Sequence, residues 1–106
     1  MASGRLGTAR LAVDTDTVVY TVPDGVIATI NIGVLNQGAA EANVSVALST
    51  TDAPAPGDYI EASPVPAGGG VLERFGVMAG PGERVIARAD QDQTVDVRVH
   101  GIEEAI

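Results

Sequence analysis

The fold is decided by the stretch Val26-Ile27-Ala28-Thr29-Ile30-Asn31-Ile32-Gly33-Val34-Leu35-Asn36. Every second residue from Val26 to Val34 is apolar, whereas Thr29, Asn31 and Gly33 stand between them. Successive side chains of a strand point to opposite faces, so this period of two predicts a β-strand with one buried face. A helix would distribute the same residues around its circumference.

Similar alternation recurs on both sides of this strand. A turn is predicted at Asn36-Gln37-Gly38, and the run from Ala42 to Thr50 places Val44, Val46 and Leu48 on one face. We expect this run and the first strand to pair as a hairpin. The other predicted strands are 5–13, which is a first strand or an extended arm, 17–22, 59–61, 71–75 with 77–78, 84–89 and 94–101.

The composition agrees with an all-β fold. The chain has 106 residues, of which 45% are hydrophobic but only 3% aromatic, so its apolar residues are mostly Val, Ile, Ala and Leu. Val and Ile suit a pleated surface better than a helix. Seven or eight short strands, about ten residues apart, predict a single antiparallel β-sandwich of the jelly-roll or Ig-like type, with a small closed barrel as the alternative. The predicted boundaries are 1–14 for an N-terminal arm or edge strand, 15–101 for the sandwich and 102–106 for a C-terminal tail.

Charge and cysteine content exclude several classes of partner. Six basic and fourteen acidic residues give a formal net charge of −8. Such a surface repels nucleic acid and anionic lipid, and no apolar run is long enough to span a bilayer. The absence of cysteine excludes disulfides, thiolate metal sites and a cysteine nucleophile. We therefore expect neither a nucleic-acid partner nor a membrane partner.

The search for catalytic residues centres on one side chain. His100 is the only histidine and lies on the polar face of the last predicted strand. No Gly-x-Ser-x-Gly sequence surrounds a serine that it would activate. The serines considered are Ser45, Ser49 and Ser63. The sequence predicts no catalytic residue, no cofactor and no enzymatic activity.

Acidic residues suggest two further sites, both weakly. Glu73 and Glu83 would serve as a glycosidase pair, but each precedes an arginine on a strand, where opposite charges help to set register. Two turns also carry oxygen ligands suited to calcium, although aspartate is common in turns for its own backbone contacts and neither turn matches an EF-hand. We expect no bound metal, and the weak calcium candidates are Asp14, Asp16, Asp90 and Asp92.

Glycan binding depends on a single aromatic residue. Sugar rings stack on exposed tryptophan or tyrosine, and this chain has no tryptophan. Tyr20 is expected in the core, so Tyr59, beside a proline-rich loop, is the one candidate.

Both ends of the chain carry residues that a small core does not need. The first segment holds two arginines and the last holds two isoleucines among acidic residues. Extended ends can add to the sheet of a neighbour, and a basic arm pairing with an acidic tail favours a closed homo-oligomer, for which we expect a trimer. The predicted contact residues are Arg5, Leu6, Arg10, Ile102 and Ile106.

Five stretches resemble small structural proteins of tailed bacteriophage virions. They are Asp16–Asn31, Ala47-Leu48-Ser49, Asp58-Tyr59-Ile60-Glu61, Val71-Leu72-Glu73-Arg74 and Gly101-Ile102-Glu103-Glu104. The resemblance extends from about residue 15 to 104 and consists of scaffold residues. It implies a non-enzymatic β-sandwich that is present in many copies on the virion and is assembled in the host cytoplasm.

The place on the particle is argued from the properties of the domain. A small rigid domain with extended ends suits a capsid decoration, or cement, protein that binds the major capsid protein and stabilises the shell. An acidic outer surface keeps particles dispersed. The alternative is a tail- or fibre-associated structural module that binds a receptor or glycan.

Overall fold

The computed structural model describes residues 2–106 as eight strands and one turn of 3-10 helix at Pro56–Asp58. The all-β prediction is therefore confirmed. The strands are β1 (Ser3–Arg10), β2 (Thr17–Thr21), β3 (Val26–Asn36), β4 (Ala42–Ser49), β5 (Tyr59–Val65), β6 (Gly70–Ala79), β7 (Arg84–Ala89) and β8 (Val95–Ala105).

The strands form two four-stranded sheets. Sheet I has the order β1-β8-β3-β6 and sheet II has the order β2-β7-β4-β5, and all neighbouring strands are antiparallel. The pairs β1–β8, β2–β7, β3–β6 and β4–β5 show that the second half of the chain folds back along the first. This is the strand order of a jelly roll, one of the two sandwich types that the sequence predicted.

The core lies between the two sheets and is built almost entirely from aliphatic side chains. Each strand contributes alternate residues, as the period of two requires. In β3 the buried side chains are Ala28, Ile30, Ile32 and Val34, whereas Thr29 and Asn31 are exposed. Val44 and Val46 of β4 and Val95, Val97 and Val99 of β8 meet them from both sheets.

The predicted hairpin of β3 and β4 is wrong, because the two strands lie in different sheets. Alternation identifies which face of a strand is buried, but it does not identify the neighbouring strand. The chain instead passes from sheet I to sheet II at a corner formed by Asn36. Its buried Nδ2 donates to the carbonyls of Ala40 (2.9 Å) and Val65 (3.1 Å), and its Oδ1 accepts from the Gly38 N–H (3.0 Å).

The two ends of the chain are strands of sheet I. β1 is an edge strand that pairs with β8, so residues 3–10 do not extend away as an arm; Met1 lies outside the described residues. β8 continues to Ala105, so residues 102–105, expected as a tail, belong to the strand. The Ile106 N–H donates to the Gly25 carbonyl (3.0 Å), which places the end of the chain against the start of β3.

Two other boundaries differ from the predicted ones. β5 extends beyond 59–61 to Val65, with Pro64 on an edge strand, where a missing N–H is tolerated. β6 is one strand rather than two pieces, because a bulge at Phe75–Gly76 keeps it paired with β3. Residues 2–106 contain no helix long and apolar enough to cross a membrane.

Candidate binding surface

A groove of about 720 Å³ crosses the outer face of sheet I, the face turned away from sheet II. Its floor includes Gly33 of β3, which has no side chain and opens a gap in the row of outward residues. Register places Gly33 directly between Arg98 of β8 and Glu73 of β6. Adjacent strands are roughly 4.8 Å apart, so two opposite charges stand on the two sides of this gap. The other outward lining residues are Thr8, Asn31, Leu35, Val71, Phe75, Asp96 and His100.

The charged groups of this face fall into a paired set and an unpaired set. Arg10 binds Asp96 through two hydrogen bonds, Nε to Oδ1 and Nη2 to Oδ2, both 2.8 Å. These bonds lower the pKa of Asp96 and raise the pKa of Arg10. Among residues 2–106, neither Glu73 nor Arg98 forms an ion pair or a side-chain hydrogen bond. The groove therefore presents two charges that the chain itself leaves available.

Large apolar side chains are exposed along β6. Val71 and Phe75, which line the groove, expose 56% and 67% of their surface, and Met78, which lies outside the groove, exposes 67%. The bulge turns Phe75 to the outer face: Gly76 has φ +69°, a conformation that favours glycine, and its N–H donates to Asn31 Oδ1 (3.0 Å). The Asn31 side chain thus stabilises the backbone of the bulge next to Phe75.

His100 is on the outer face of sheet I, as its position on the polar side of the strand predicted. It lies opposite Asn31 and Arg5 on the neighbouring strands. The three candidate serines are far from it in the topology, because Ser45, Ser49 and Ser63 belong to β4 and β5 of sheet II. The structure therefore places none of these three serines on the same sheet as the histidine.

The remaining acidic candidates have structural contacts. Glu83 Oε1 accepts from the Gly80 N–H (2.7 Å) and stabilises the turn between β6 and β7, so it is not paired with Glu73. Tyr59, the glycan candidate, lies at the start of β5, 42% exposed and opposite Ala47 of sheet II. It is therefore on a different sheet from the groove.

Three of the four weak calcium candidates bind protein groups through their carboxylates. Asp92 Oδ1 accepts from the Val13 N–H (3.0 Å), and Asp16 pairs with Arg88 (3.6 Å). Asp90 accepts two 2.8 Å hydrogen bonds from the backbone and side chain of Asn43, which lower its pKa. The fourth, Asp14, has φ +49° and lies in the same region of turns. Within the described range, no three or more His, Asp or Glu side chains are grouped as a metal site would require.

The five predicted contact residues are divided between the surface and the interior of the domain. Leu6 packs partly buried against the core, and Arg10 is occupied by Asp96. Arg5 is exposed beside His100. Ile102 and Ile106 expose 55% and 75% of their surface at the end of β8.

Glu103 is a structural residue that the sequence analysis missed. The Tyr20 hydroxyl donates to its Oε2 (2.6 Å) and the Ala2 N–H donates to its Oε1 (3.1 Å), so Glu103 on β8 of sheet I is tied to β2 of sheet II and to the residue before β1. Burial, helped by this carboxylate, raises the pKa of Tyr20. The signal was present in the sequence: the inward period of Val95, Val97 and Val99 continues through Gly101 to residue 103.

Sheet I therefore carries a candidate binding surface: an open groove with a charge on each side of its floor, and exposed apolar side chains along the edge strand β6. Comparison with protein-family models, with curated proteins and with solved structures finds no match for this chain. The geometry of the groove and of the β6 edge is therefore what supports a function.

Proposed function

We propose that this chain is a non-enzymatic structural protein of a tailed-bacteriophage virion. Its role is to decorate the capsid: it binds the major capsid protein and stabilises the shell. The proposal includes association of copies into a trimer and no enzymatic activity. The resemblance of its scaffold residues to small virion proteins supports the class of protein, and the surface of sheet I supports binding as the mode of action.

The single observation that carries the proposal is the edge strand β6, which exposes three large apolar side chains. Soluble domains rarely leave a long apolar edge strand without protection, because it pairs readily with other chains. Val71, Phe75 and Met78 are exposed along β6. A protein whose partner is a large assembly gains from such an edge, because each docked copy buries it.

The exposed isoleucines at the end of β8 support association between copies. Ile102 and Ile106 lie at the opposite end of sheet I from the turn that precedes β8, away from the charged pair of Arg10 and Asp96. A three-fold assembly places different patches in contact around a closed ring. Sedimentation equilibrium tests this part of the proposal, with Ile102→Ser and Ile106→Ser expected to shift a trimer to monomer.

The test of the proposed function is binding to shells. The purified chain is mixed with empty capsid shells and, in a separate sample, with isolated tails. Each kind of particle is then pelleted. Co-sedimentation with shells in a constant ratio to the major capsid protein supports the proposal. Binding to tails alone, or to neither particle, contradicts it. Quantitative mass spectrometry of intact virions gives the same distinction from copy number.

The second candidate function, a tail- or fibre-associated module that binds a receptor or glycan, is favoured by exposed Tyr59. A glycan array and binding to host cells test it. Binding that is abolished by Tyr59→Ala, with no binding to shells, would select this alternative.

A further inference from the structure

The four edge strands of the sandwich are not equally protected. β1 has a register shift near Arg5 and a charged outer face, and β2 has only five residues. β5 contains Pro64 and forms an ion pair through Glu61. Bulges, charges, short strands and prolines are the features that keep an edge from pairing with another chain. β6 also has a bulge and two charged residues, but its register with β3 is unbroken from Gly70 to Arg74 and this stretch contains no proline, so it is the edge best suited to accept another strand.

The outer residues of β6 form a short pattern before the bulge. Val71, Glu73 and Phe75 lie on the outer face at every second position, so an added strand would place its own outward residues beside them. Arg74 points to the opposite face, where its Nη1 donates to the Ile60 carbonyl (3.0 Å) of sheet II. The ion pair of Arg74 and Glu61 (3.4 Å) leaves Glu73 without a partner. The bulge limits the length available to six residues, from Gly70 to Phe75.

Charge disfavours a second copy of this chain as the occupant. When two β6 strands pair antiparallel so that Val71 meets Phe75 of the other copy, Glu73 lies directly opposite Glu73. Like charges directly opposite each other destabilise a strand pair, and each copy already carries a net charge of −8. Shifting the register by two residues removes that repulsion but places Glu73 against an apolar side chain. An added strand with a basic residue opposite Glu73 would form an ion pair there instead.

We propose that the outer edge of β6, from Gly70 to Phe75, accepts a short extended segment of a different protein whose outward residues are apolar, basic and apolar in turn. The backbone of the segment extends sheet I as a fifth strand. Its basic side chain pairs with Glu73, and its two apolar side chains cover Val71 and Phe75. This inference rests on the proposed function, because the segment would belong to the partner that the proposed function names.

Two synthetic heptapeptides test the edge directly. One is acetyl-Thr-Val-Thr-Arg-Thr-Val-Thr-amide, and the other has Glu in place of Arg. Each is titrated into the ¹⁵N-labelled full chain. We expect the arginine peptide to shift the amide signals of residues 70–75 saturably and to bind about fivefold more tightly than the glutamate peptide.

A charge-reversal variant sharpens the test. Glu73→Arg should reverse the preference, so that the glutamate peptide becomes the tighter ligand. Glu104→Arg is the matched control, since residue 104 is exposed on the same sheet but lies on β8, beyond β3 from the edge. It makes the same change in net charge and should leave the preference unchanged. Thermal unfolding of both variants confirms that they are folded.

Three results would overturn the inference: equal affinities for the two peptides, shifts that map outside β6, or a preference that Glu104→Arg reverses as well. Self-association that Phe75→Lys abolishes would show that a second copy is the occupant instead. The proposed function fails separately, if the native chain does not bind shells. Shell binding that survives Glu73→Arg unchanged would contradict the docking edge while leaving the decoration function in place.

Discussion

The outer faces of the two sheets differ in how far the chain covers its own surface. On sheet II, Val18, Ile86, Ala47 and Tyr59 form a row across the four strands, and Ile86 and Ala47 are only 1% exposed. The charged residues beside Ile86 are engaged: Arg84 pairs with Asp52 (3.1 Å) and Arg88 with Asp16 (3.6 Å).

Sheet I presents the opposite arrangement. Its central strand has Gly33 where sheet II has a buried aliphatic row, and Glu73 and Arg98 beside it stay unpaired within residues 2–106. Phe75 is 67% exposed. The outer face of sheet II therefore has a buried aliphatic row that contributes to stability, whereas the outer face of sheet I leaves charged and apolar side chains exposed.

The difference between the two faces is tested by shortening one apolar side chain on each of them. Ile86→Ala should lower the free energy of unfolding by about 3.5 kcal/mol, because it leaves a cavity at a buried site. Phe75→Ala should change it by less than about 0.5 kcal/mol, because the ring is mostly in solvent. Urea unfolding measures both. Comparable losses in the two variants would show that the faces do not differ as described.

The corner between the sheets provides the next largest effect. Asn36→Leu removes the three hydrogen bonds of the buried amide and leaves the carbonyls of Ala40 and Val65 without that donor. We expect a loss of about 3 kcal/mol in unfolding free energy. The exposed neighbour serves as control, with Gln37→Ala expected to cost less than about 0.5 kcal/mol. A loss below about 1 kcal/mol for Asn36→Leu would mean that the amide does not hold the corner.

A second link joins the sheets through Tyr20 and Glu103. Tyr20→Phe removes a hydrogen bond to a carboxylate, and we expect a cost of about 1.5 kcal/mol. Tyr59→Phe makes the same chemical change at an exposed position of sheet II and should be nearly neutral. Differential scanning calorimetry at neutral pH compares them. Equal melting temperatures for the two variants would show that the hydrogen bond between Tyr20 and Glu103 does not contribute to stability.

The smallest effect concerns the paired charges on sheet I. Because the pKa of Asp96 is lowered in the folded chain, its contribution to stability is present above the pKa of the unfolded state and is lost as the pH falls through the folded pKa. Stability should therefore decline on acidification below about pH 4. Asp96→Asn should make this decline shallower, as urea unfolding between neutral and acidic pH will measure. A decline that stays as steep in Asp96→Asn as in the native chain would contradict this contribution.

Much of the fold was predictable because a sandwich strand shows its buried face in its own sequence. β3 and β7 have the predicted boundaries, and their inward residues follow from alternation alone. The partner of each strand was not predictable, because β3 and β4 have similar patterns whether they pair as a hairpin or face each other across the core. The amide that decides between these arrangements, Asn36, resembles an ordinary turn residue in the sequence.

The surface of sheet I was less predictable, for a geometric reason. Gly33, Glu73 and Arg98 come from three strands and meet only through the register of sheet I. The sequence did predict that His100 points outward and that Tyr20 is buried. It did not predict that β6 is an edge strand, since that depends on the order of strands in the finished sheet.

The most direct measurement for the account is the binding of two matched variants to capsid shells. Phe75→Lys and Tyr59→Lys each replace an exposed aromatic residue with lysine, on sheet I and sheet II respectively. With both variants folded, the account predicts that Tyr59→Lys co-sediments with shells as the native chain does, whereas Phe75→Lys loses most of its binding. Equal binding of the two variants, or loss confined to Tyr59→Lys, would contradict it.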